Sequence, residues 1–163
     1  MTSAQVQSGR SQLKGVCFDY RGVLLDHRTD RDILLGMEEL LETLKKKGTR
    51  MAIVSRFPLD VLKEGIESLL PVFGGEFRSS SGRTKLECIR ELAEGWEIDD
   101  LEGISFIDDK PENLVSVRQY SKVHVIGFRG SGKYPQSRDL CLNEGIPFAE
   151  SVEELKHLLL DEV

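Results

Sequence analysis

The sequence has few cysteines and no surplus of positive charge. Its 163 residues contain three cysteines, Cys17, Cys88 and Cys141, whose spacing matches no metal-binding pattern and whose odd number argues against a disulfide framework. The formal net charge is −6. Because no excess of Lys and Arg remains to neutralise phosphates, we expect neither broad nucleic-acid binding nor attraction to an anionic membrane.

Long apolar segments are also lacking. No apolar run in the sequence approaches the length of a membrane-spanning helix, and the polar residues from Met1 to Gln12 lack the apolar core of a secretory signal. We therefore expect a cytoplasmic protein. Hydrophobic residues make up 39% of the chain and charged residues 31%, as in ordinary globular proteins. The length predicts one domain, residues 14–163, after a flexible polar lead of residues 1–13.

Predicted strands and helices alternate along the domain. Short apolar runs predict strands near residues 16–18, 50–54, 104–107 and 123–126, and shorter extended pieces near 72–77 and 147–148. Helical spacing and helix-start residues predict helices near 33–47, 58–70, 84–96, from 111, 137–143 and 151–160. The alternation predicts an α/β fold, a doubly wound and mainly parallel sheet with helices on both faces.

Local patterns support several of these helices. The helix near 33–47 is predicted to bury one face, made of the apolar residues Met37, Leu40, Leu41 and Leu44. Two other helices are predicted to begin with a capping box, Thr84-x-x-Glu87 and Ser151-x-x-Glu154.

Polar residues stand at the steps from strand to helix. They are Asp19, Ser55, Lys85 and the adjacent pair Asp108 and Asp109. In a parallel sheet the carboxyl ends of the strands lie at one edge, so these side chains are predicted to converge there. Three carboxylates that lie close together repel one another unless a cation binds between them. Oxygen ligands of this kind suit Mg²⁺, which proteins often bind through one or two carboxylates and a substrate phosphate.

This set of residues indicates a site for phosphate chemistry. Asp19 is the candidate nucleophile, with the metal neutralising the charge that develops on the phosphoryl group. Ser55 is a candidate hydrogen-bond donor to a phosphate oxygen. Lys85 adds a positive charge in the first turn of a helix, where the helix dipole already favours an anion.

Four stretches resemble, in order, the motifs of the haloacid dehalogenase superfamily. They are Phe18–Leu24, Ile53–Ser55, Lys85 and Phe106–Asn113, and the resemblance covers the chain from Gly15 to about Phe128. It implies a Rossmann-like fold of the haloacid dehalogenase type and Asp19 as the nucleophile. It also implies Mg²⁺ held by Asp19, Asp108, Asp109 and the backbone carbonyl of Arg21.

One position departs from the pattern of the superfamily's phosphatases. They carry a second Asp two residues after the nucleophile, which protonates the leaving group and then activates water, but this sequence has Arg21 there. Loss of general acid-base assistance typically lowers the rate by about 10²–10⁴. Two hypotheses follow, a slow Mg²⁺-dependent phosphohydrolase or phosphotransferase, or a catalytically weak relative that binds a phosphorylated partner. Arg21 is a further substrate-binding candidate.

Dehalogenases of the superfamily also lack that second Asp, and they attack carbon. Each of the segments 19–55 and 55–85 is filled by one predicted helix and its loops, so no sizeable cap domain is expected to enclose a small halo acid. In the superfamily, a capless site is usually open or shut by a partner chain. An open site suits an extended or macromolecular phosphorylated substrate.

A second phosphate-type motif lies near the C-terminal end. Gly127–Lys133 matches the first seven positions of a P-loop, but Tyr134 replaces the Ser or Thr that binds Mg²⁺, and Pro135 follows. We interpret the segment as a mobile surface loop near the site, from which Arg129 or Lys133 could contact substrate.

Overall fold

The architecture is a parallel sheet between two layers of helices. The structure, a computed structural model, describes residues 12–29, 32–58 and 76–160. Within these ranges the strands are β1 (Gly15–Phe18), β2 (Arg50–Ser55), β3 (Phe77–Ser79), β4 (Ile104–Asp108), β5 (His124–Phe128) and β6 (Phe148–Ala149). The helices are α1 (Met37–Lys46), α2 (Lys85–Gly95), α3 (Pro111–Gln119), α4 (Ser137–Asn143) and α5 (Val152–Leu160), and a 3₁₀ turn spans Leu101–Gly103.

The sheet is doubly wound, as predicted. The strand order is β3-β2-β1-β4-β5-β6, and all five neighbouring pairs are parallel. The chain builds outward from β1 through β2 and β3, and then returns to the other side of β1 with β4. The gap between the carboxyl ends of β1 and β4 is therefore the point where the winding reverses, which is where open α/β sheets bind ligands.

Both faces of the sheet are buried, so its strands are apolar almost throughout. Val16 and Phe18 of β1 pack with α1 and α5 on one face, whereas Cys17 between them packs with α2, α3 and α4 on the other. Successive side chains of a strand point to opposite faces, so a short, continuous apolar run fills both cores. The predicted buried face of α1, Met37, Leu40, Leu41 and Leu44, is confirmed.

The helix starts differ in how fully they follow the predicted capping boxes. At Thr84 the box is complete, because its hydroxyl accepts from the N–H of Glu87 and the Glu87 carboxylate accepts from the N–H of Thr84. At Ser151 only half forms: the hydroxyl accepts from the N–H of Glu154, but the Glu154 carboxylate accepts from the N–H of Glu150 instead.

Several predicted segments lie outside the described residues. Residues 59–70 of the predicted helix at 58–70, most of the extended piece at 72–77 and residues 1–11 of the predicted polar lead fall there, and the third strand is found at Phe77–Ser79. In the described ranges, no helix has the length and apolar character needed to cross a membrane.

Candidate active site

Strand register brings the first two acidic residues together. Phe18 of β1 pairs with Ile107 of β4, so the next residues, Asp19 and Asp108, lie side by side at the carboxyl edge of the sheet. The backbone N–H of Asp19 donates to the carbonyl of Ile107 at 2.9 Å, which continues the β1–β4 ladder by one residue. Asp19 is thus positioned by the centre of the sheet rather than by a free loop.

A buried lysine holds Asp19 in place. Nζ of Lys85, the first residue of α2, donates to Oδ1 of Asp19 at 2.7 Å and to the carbonyl of Val54 at 2.9 Å. It also lies 3.9 Å from Oδ2 of Asp108. Burial opposes the charged form of Lys85, but the Asp19 and Asp108 carboxylates outweigh that effect and raise its pKa above the ordinary value. Lys85 is therefore a fixed cation at neutral pH.

Asp108 is fully enclosed and hydrogen-bonded by the segment that follows it. Its Oδ1 accepts from the backbone N–H of Lys110 at 3.0 Å, and its Oδ2 accepts from the Asn113 side chain at 2.8 Å. Burial, and then the neighbouring charge of Asp19, raise the pKa of Asp108 well above its usual range. Its local hydrogen bonds make Asp108 the anchor of the acidic cluster.

Asp109 completes the cluster and carries an unsatisfied oxygen. Oxygen atoms of Asp19, Asp108 and Asp109 all lie within 4.8 Å of one another. Oδ2 of Asp109 is buried without a hydrogen-bond partner, and burial followed by the charge of Asp19 raises the pKa of this residue to about 6. The backbone of Gly22, with φ 91°, lies against Asp109, so a Cβ added at Gly22 would overlap Oδ2 of Asp109. An orphaned buried carboxylate oxygen beside two more carboxylates fits a hard divalent cation such as Mg²⁺.

The predicted substrate-binding residues surround the same pocket. Asp19, Arg21, Ser55, Lys85, Asp108 and Asp109 all line a pocket of about 260 Å³. Ser55 is buried at the end of β2, and its Oγ accepts from the backbone N–H of Phe57 at 3.2 Å, which leaves the hydroxyl hydrogen to be donated. Arg21 is half-buried, and its Nη2 donates to the carbonyl of His27 at 3.2 Å.

The loop that follows β5 is tied to the loop that follows β1. The N–H of Ser131 donates to the carbonyl of Gly22 at 3.1 Å, and the Ser131 hydroxyl accepts from the N–H of His27 at 3.0 Å. Gly130, with φ 58°, lies so close to that same carbonyl that an added Cβ would overlap it. These contacts anchor a segment that the sequence suggested was a mobile surface loop, and they bring Lys133 and Tyr134 to the pocket. Because α4 begins only at Ser137, the segment does not lead directly into a helix as a P-loop does.

Five lining residues had no predicted role: Arg56, Phe57, Lys110, Asn113 and Tyr134. The approach of Asn113 to the pocket could have been predicted, because it lies five residues after Asp108, inside the first turn of a helix that starts at Pro111. Arg56 and Lys110 each stand one residue beyond a predicted site residue. Their approach to the pocket depends on loop direction, which residue spacing does not determine.

Comparison with known proteins identifies the fold. No known family model matches the sequence, and no curated protein matches it at a significant level. Solved structures do match. A haloacid dehalogenase-like family hydrolase from Streptococcus pneumoniae has a TM-score of 0.71 at 12% identity, over 90% of this chain and 98% of that one.

Two further structures agree. A predicted phosphatase from Clostridium acetobutylicum has a TM-score of 0.69 at 18% identity, over 93% of this chain and 100% of that one. The cobalt-bound form of a deoxy-D-mannose-octulosonate 8-phosphate phosphatase from Haemophilus influenzae has a TM-score of 0.66 at 15% identity, over 93% and 89%. This chain has the fold of the haloacid dehalogenase-like hydrolases.

Proposed function

We propose that this protein is a metal-dependent phosphohydrolase or phosphotransferase that acts through a phosphorylated Asp19. The observation that carries the proposal is the buried Lys85–Asp19 pair, 2.7 Å between Nζ and Oδ1, at the floor of a pocket that also holds Asp108 and Asp109. A lone strand-end Asp has many structural uses. An Asp oriented by a buried lysine, beside two carboxylates that suit a divalent cation, has the parts that phosphoryl transfer through a carboxylate nucleophile requires.

The reaction would proceed in two displacements. A carboxylate oxygen of Asp19 attacks phosphorus, the bond from phosphorus to the leaving oxygen breaks, and that oxygen takes the electron pair. Water then attacks the aspartyl-phosphate, which releases inorganic phosphate and restores Asp19; in a transferase, an acceptor hydroxyl takes the place of water. Because Lys85 fixes Oδ1, the carboxylate keeps one orientation and loses little freedom on reaching the attack geometry.

Mg²⁺ would be held by Asp19 and Asp109, with Asp108 and the backbone carbonyl of Arg21 as further ligands. When bound, it would supply charge neutralisation between the carboxylates and the phosphoryl oxygens. The residues themselves account for the rest of the binding site. The Ser55 hydroxyl donates to a phosphoryl oxygen, and the Lys85 ammonium offsets negative charge next to the attacking carboxylate.

In this proposal the rate is limited because position 21 holds an arginine instead of a carboxylate that could act as general acid and base. No carboxylate other than those of Asp19, Asp108 and Asp109 lines the described part of the pocket. The leaving oxygen and the attacking water therefore lack the acid-base partner that phosphatases of this type use, which typically costs about 10²–10⁴ in rate. The same observation favours the second candidate function, a protein that binds a phosphorylated partner with little turnover.

The expected substrate is an extended phosphorylated molecule or a phosphorylated macromolecule. The pocket volume of about 260 Å³ lies below the range of roughly 300–1,000 Å³ that is typical of ligand sites. It therefore accommodates a phosphoryl group and a short part of what carries it, and the remainder would lie outside. Between Asp19 and Ser55, the described residues hold only the loop after β1 and α1, with no inserted cap domain.

A phosphatase screen tests the proposal. Aryl phosphates, sugar phosphates, nucleotides and phosphopeptides are assayed with Mg²⁺ and with EDTA, using wild type and Asp19→Asn. We expect Mg²⁺-dependent phosphate release, fastest for aryl phosphates, that is lost in the variant. Binding of a phosphorylated ligand without release of phosphate from any substrate would favour the second candidate. Release that survives Asp19→Asn would contradict the assignment of the nucleophile.

A further inference from the structure

Four cations line the pocket around the acidic cluster, and each comes from a different loop. Arg21 follows β1, Arg56 follows β2, Lys110 follows β4, and Lys133 lies in the loop after β5. We propose that Arg56, Lys110 and Lys133, together with Arg21, form a second anion subsite, and that the substrate is a phosphate ester carrying another anionic group, a phosphate or a carboxylate. This inference rests on the proposed function, because it takes the reacting phosphoryl group to lie at Asp19.

Three of these cations have no carboxylate partner. Within the described residues, no ion pair involves Arg56, Lys110 or Lys133. Arginines elsewhere in those ranges are commonly paired with carboxylates: Arg28 with Asp26, Arg78 and Arg83 with Glu91, Arg118 with Glu144, and Arg129 and Arg138 with Glu150. A chain with a net charge of −6 has carboxylates to spare. Arg56, Lys110 and Lys133 are distinguished by their convergence, because three cations without an ion pair reach one pocket from three different loops.

The cations are more exposed than the residues of the acidic cluster. Lys85, Asp108 and Asp109 are buried at the floor, whereas Lys110 and Lys133 are half-buried and Arg56 is exposed. Nζ of Lys133 lies 5.3 Å from the centre of the Tyr134 ring, and Tyr134 lines the same pocket. The cations therefore surround the outer part of the pocket, where the portion of a substrate beyond its phosphoryl group would lie.

The positive charge around this pocket exceeds the negative charge of one phosphate group. The floor holds three carboxylates and one ammonium, a formal charge of −2, and a bound divalent cation would cancel it. Arg56, Lys110 and Lys133, which have no ion pair among the described residues, then remain. A phosphate monoester carries about two negative charges near neutral pH, so it matches two of these three. The third matches a second phosphate or carboxylate on the same molecule, which arginine and lysine bind by charge-assisted hydrogen bonds.

Matched substrate pairs test the subsite. We compare phenyl phosphate with 4-carboxyphenyl phosphate, and glucose 1-phosphate with glucose 1,6-bisphosphate, in wild type and in the double variant Lys110→Gln/Lys133→Gln. Wild type is expected to favour the doubly anionic member of at least one pair by about tenfold or more in kcat/KM, mainly through KM, because hydrogen bonds to charged groups are the strong ones. The double variant should bring that ratio to within about threefold of unity. The aryl pair reports a carboxylate as the second group, and the sugar pair reports a phosphate.

Two controls make the result decisive. Lys47→Gln removes one charge from an exposed position at the other edge of the sheet, and it should keep the wild-type ratio. Calorimetric titration of Asp19→Asn with the same aryl and sugar phosphates measures the preference as a ratio of Kd values, without turnover. Two results would overturn the subsite. One is equal kcat/KM for wild type, and equal Kd for Asp19→Asn, within both pairs. The other is a preference that persists in the double variant. Loss of turnover on every ester, with the binding preference intact, would overturn the proposed reaction and leave the subsite standing.

Discussion

Lys85 and Asp19 form an ion pair that water scarcely reaches, with Nζ 2.7 Å from Oδ1 and side chains that are 7% and 16% exposed. Such a pair adds little stability compared with a well-packed apolar pair, but breaking it by removing one partner typically costs about 3–5 kcal/mol. In the proposed function, the pair is kept because it orients the nucleophile rather than because it stabilises the fold. The pair can be tested through stability as well as activity.

A double-mutant cycle measures the coupling within this pair. Lys85→Met should destabilise the metal-free protein by about 3–5 kcal/mol, because it leaves Asp19 and Asp108 without their buried cation. Asp19→Asn should cost less, since it also relieves repulsion within the acidic cluster. The double variant should be more stable than the sum of the single effects predicts, as judged from urea unfolding. Strict additivity would mean that the two side chains do not interact in solution.

Mg²⁺ is expected to raise the melting temperature. A ligand that binds only the folded state adds RT ln(1 + [L]/Kd), about 2.7 kcal/mol at one hundred times Kd. Differential scanning calorimetry in EDTA and in millimolar Mg²⁺ measures this effect. Asp109→Asn should abolish the shift, whereas Asp99→Asn, at an exposed carboxylate on the amino-terminal side of β4, should retain it. A shift of the same size in both variants would place the metal outside the cluster.

The free energy of unfolding of the metal-free protein should depend on pH through the ionisation of Asp109. Its pKa in the folded protein is about 6, compared with an ordinary value of 3.8. The folded state therefore binds more protons than the unfolded state between these values, and the contribution of Asp109 to stability falls as pH rises from about 4 to about 6. The loss over this range amounts to about 3 kcal/mol.

Comparison with Asp109→Asn isolates this contribution from that of other carboxylates. Urea unfolding in EDTA at several pH values should show wild type losing stability relative to the variant up to about pH 6 and little further change above it. Saturating Mg²⁺ should reverse the trend, because the cation competes with the proton for the same carboxylate. A stability difference that does not vary with pH would mean that Asp109 ionises normally.

The sequence was most informative where strands and helices alternate. Apolar runs predicted β1, β2, β4 and β5 to within a residue or two. The alternation predicted a parallel sheet, but not the strand order β3-β2-β1-β4-β5-β6, because more than one order satisfies the rules for parallel connections. Convergence of Asp19, Ser55, Lys85, Asp108 and Asp109 was predictable because these residues stand at or directly beyond strand ends or at a helix start. Every such end in a parallel sheet faces the same edge. The position of Asp19 beside Asp108 depends in addition on the register of β1 against β4, which the apolar pattern does not determine.

Contacts between loops could not be predicted in this way. The approach of Gly130 to Gly22 joins residues that are far apart in the chain, and it depends on backbone direction rather than on any period. Half of the capping box at Ser151 shifted by one residue because the N–H of Glu150 offered an alternative donor. The outer cations Arg56 and Lys110 were missed for the same reason, since the direction of a side chain in a loop does not follow a regular period.

The contact between Gly130 and Gly22 provides a structural test. Gly130→Ala would force a Cβ into the carbonyl oxygen of Gly22 at a positive φ, so it should cost roughly 3 kcal/mol or more and displace Lys133 from the pocket. Gly132→Ala is the matched control, because Gly132 also has a positive φ but no atom within 4 Å of an added Cβ. It should cost only the conformational strain, about 1–2 kcal/mol. Equal losses in thermal unfolding would show that the two loops do not touch.

Arg21 is the residue that separates an enzyme from a binding protein, and the prediction for it concerns two steps. Without an acid near the leaving oxygen, aryl and acyl phosphates should react far better than alkyl phosphates, since their leaving groups need little proton donation. Hydrolysis of the aspartyl-phosphate should be slower still, because water attacks without a base. We therefore expect a burst that phosphorylates Asp19, followed by slow turnover, measured by rapid quench and by the mass of the intact protein.

Two substitutions distinguish a missing base from a substrate contact. Arg21→Asp should raise steady-state turnover by about tenfold or more if the carboxylate serves as the general acid and base, whereas Arg21→Gln should not. If the Arg21 guanidinium also holds substrate, both variants should raise KM, because both remove its charge-assisted hydrogen bonds. The Arg21–His27 hydrogen bond is lost in both variants, so any structural effect of its loss is matched between them. No burst and no turnover with wild type and Arg21→Asp, on any ester, would leave phosphate binding as the function of the site.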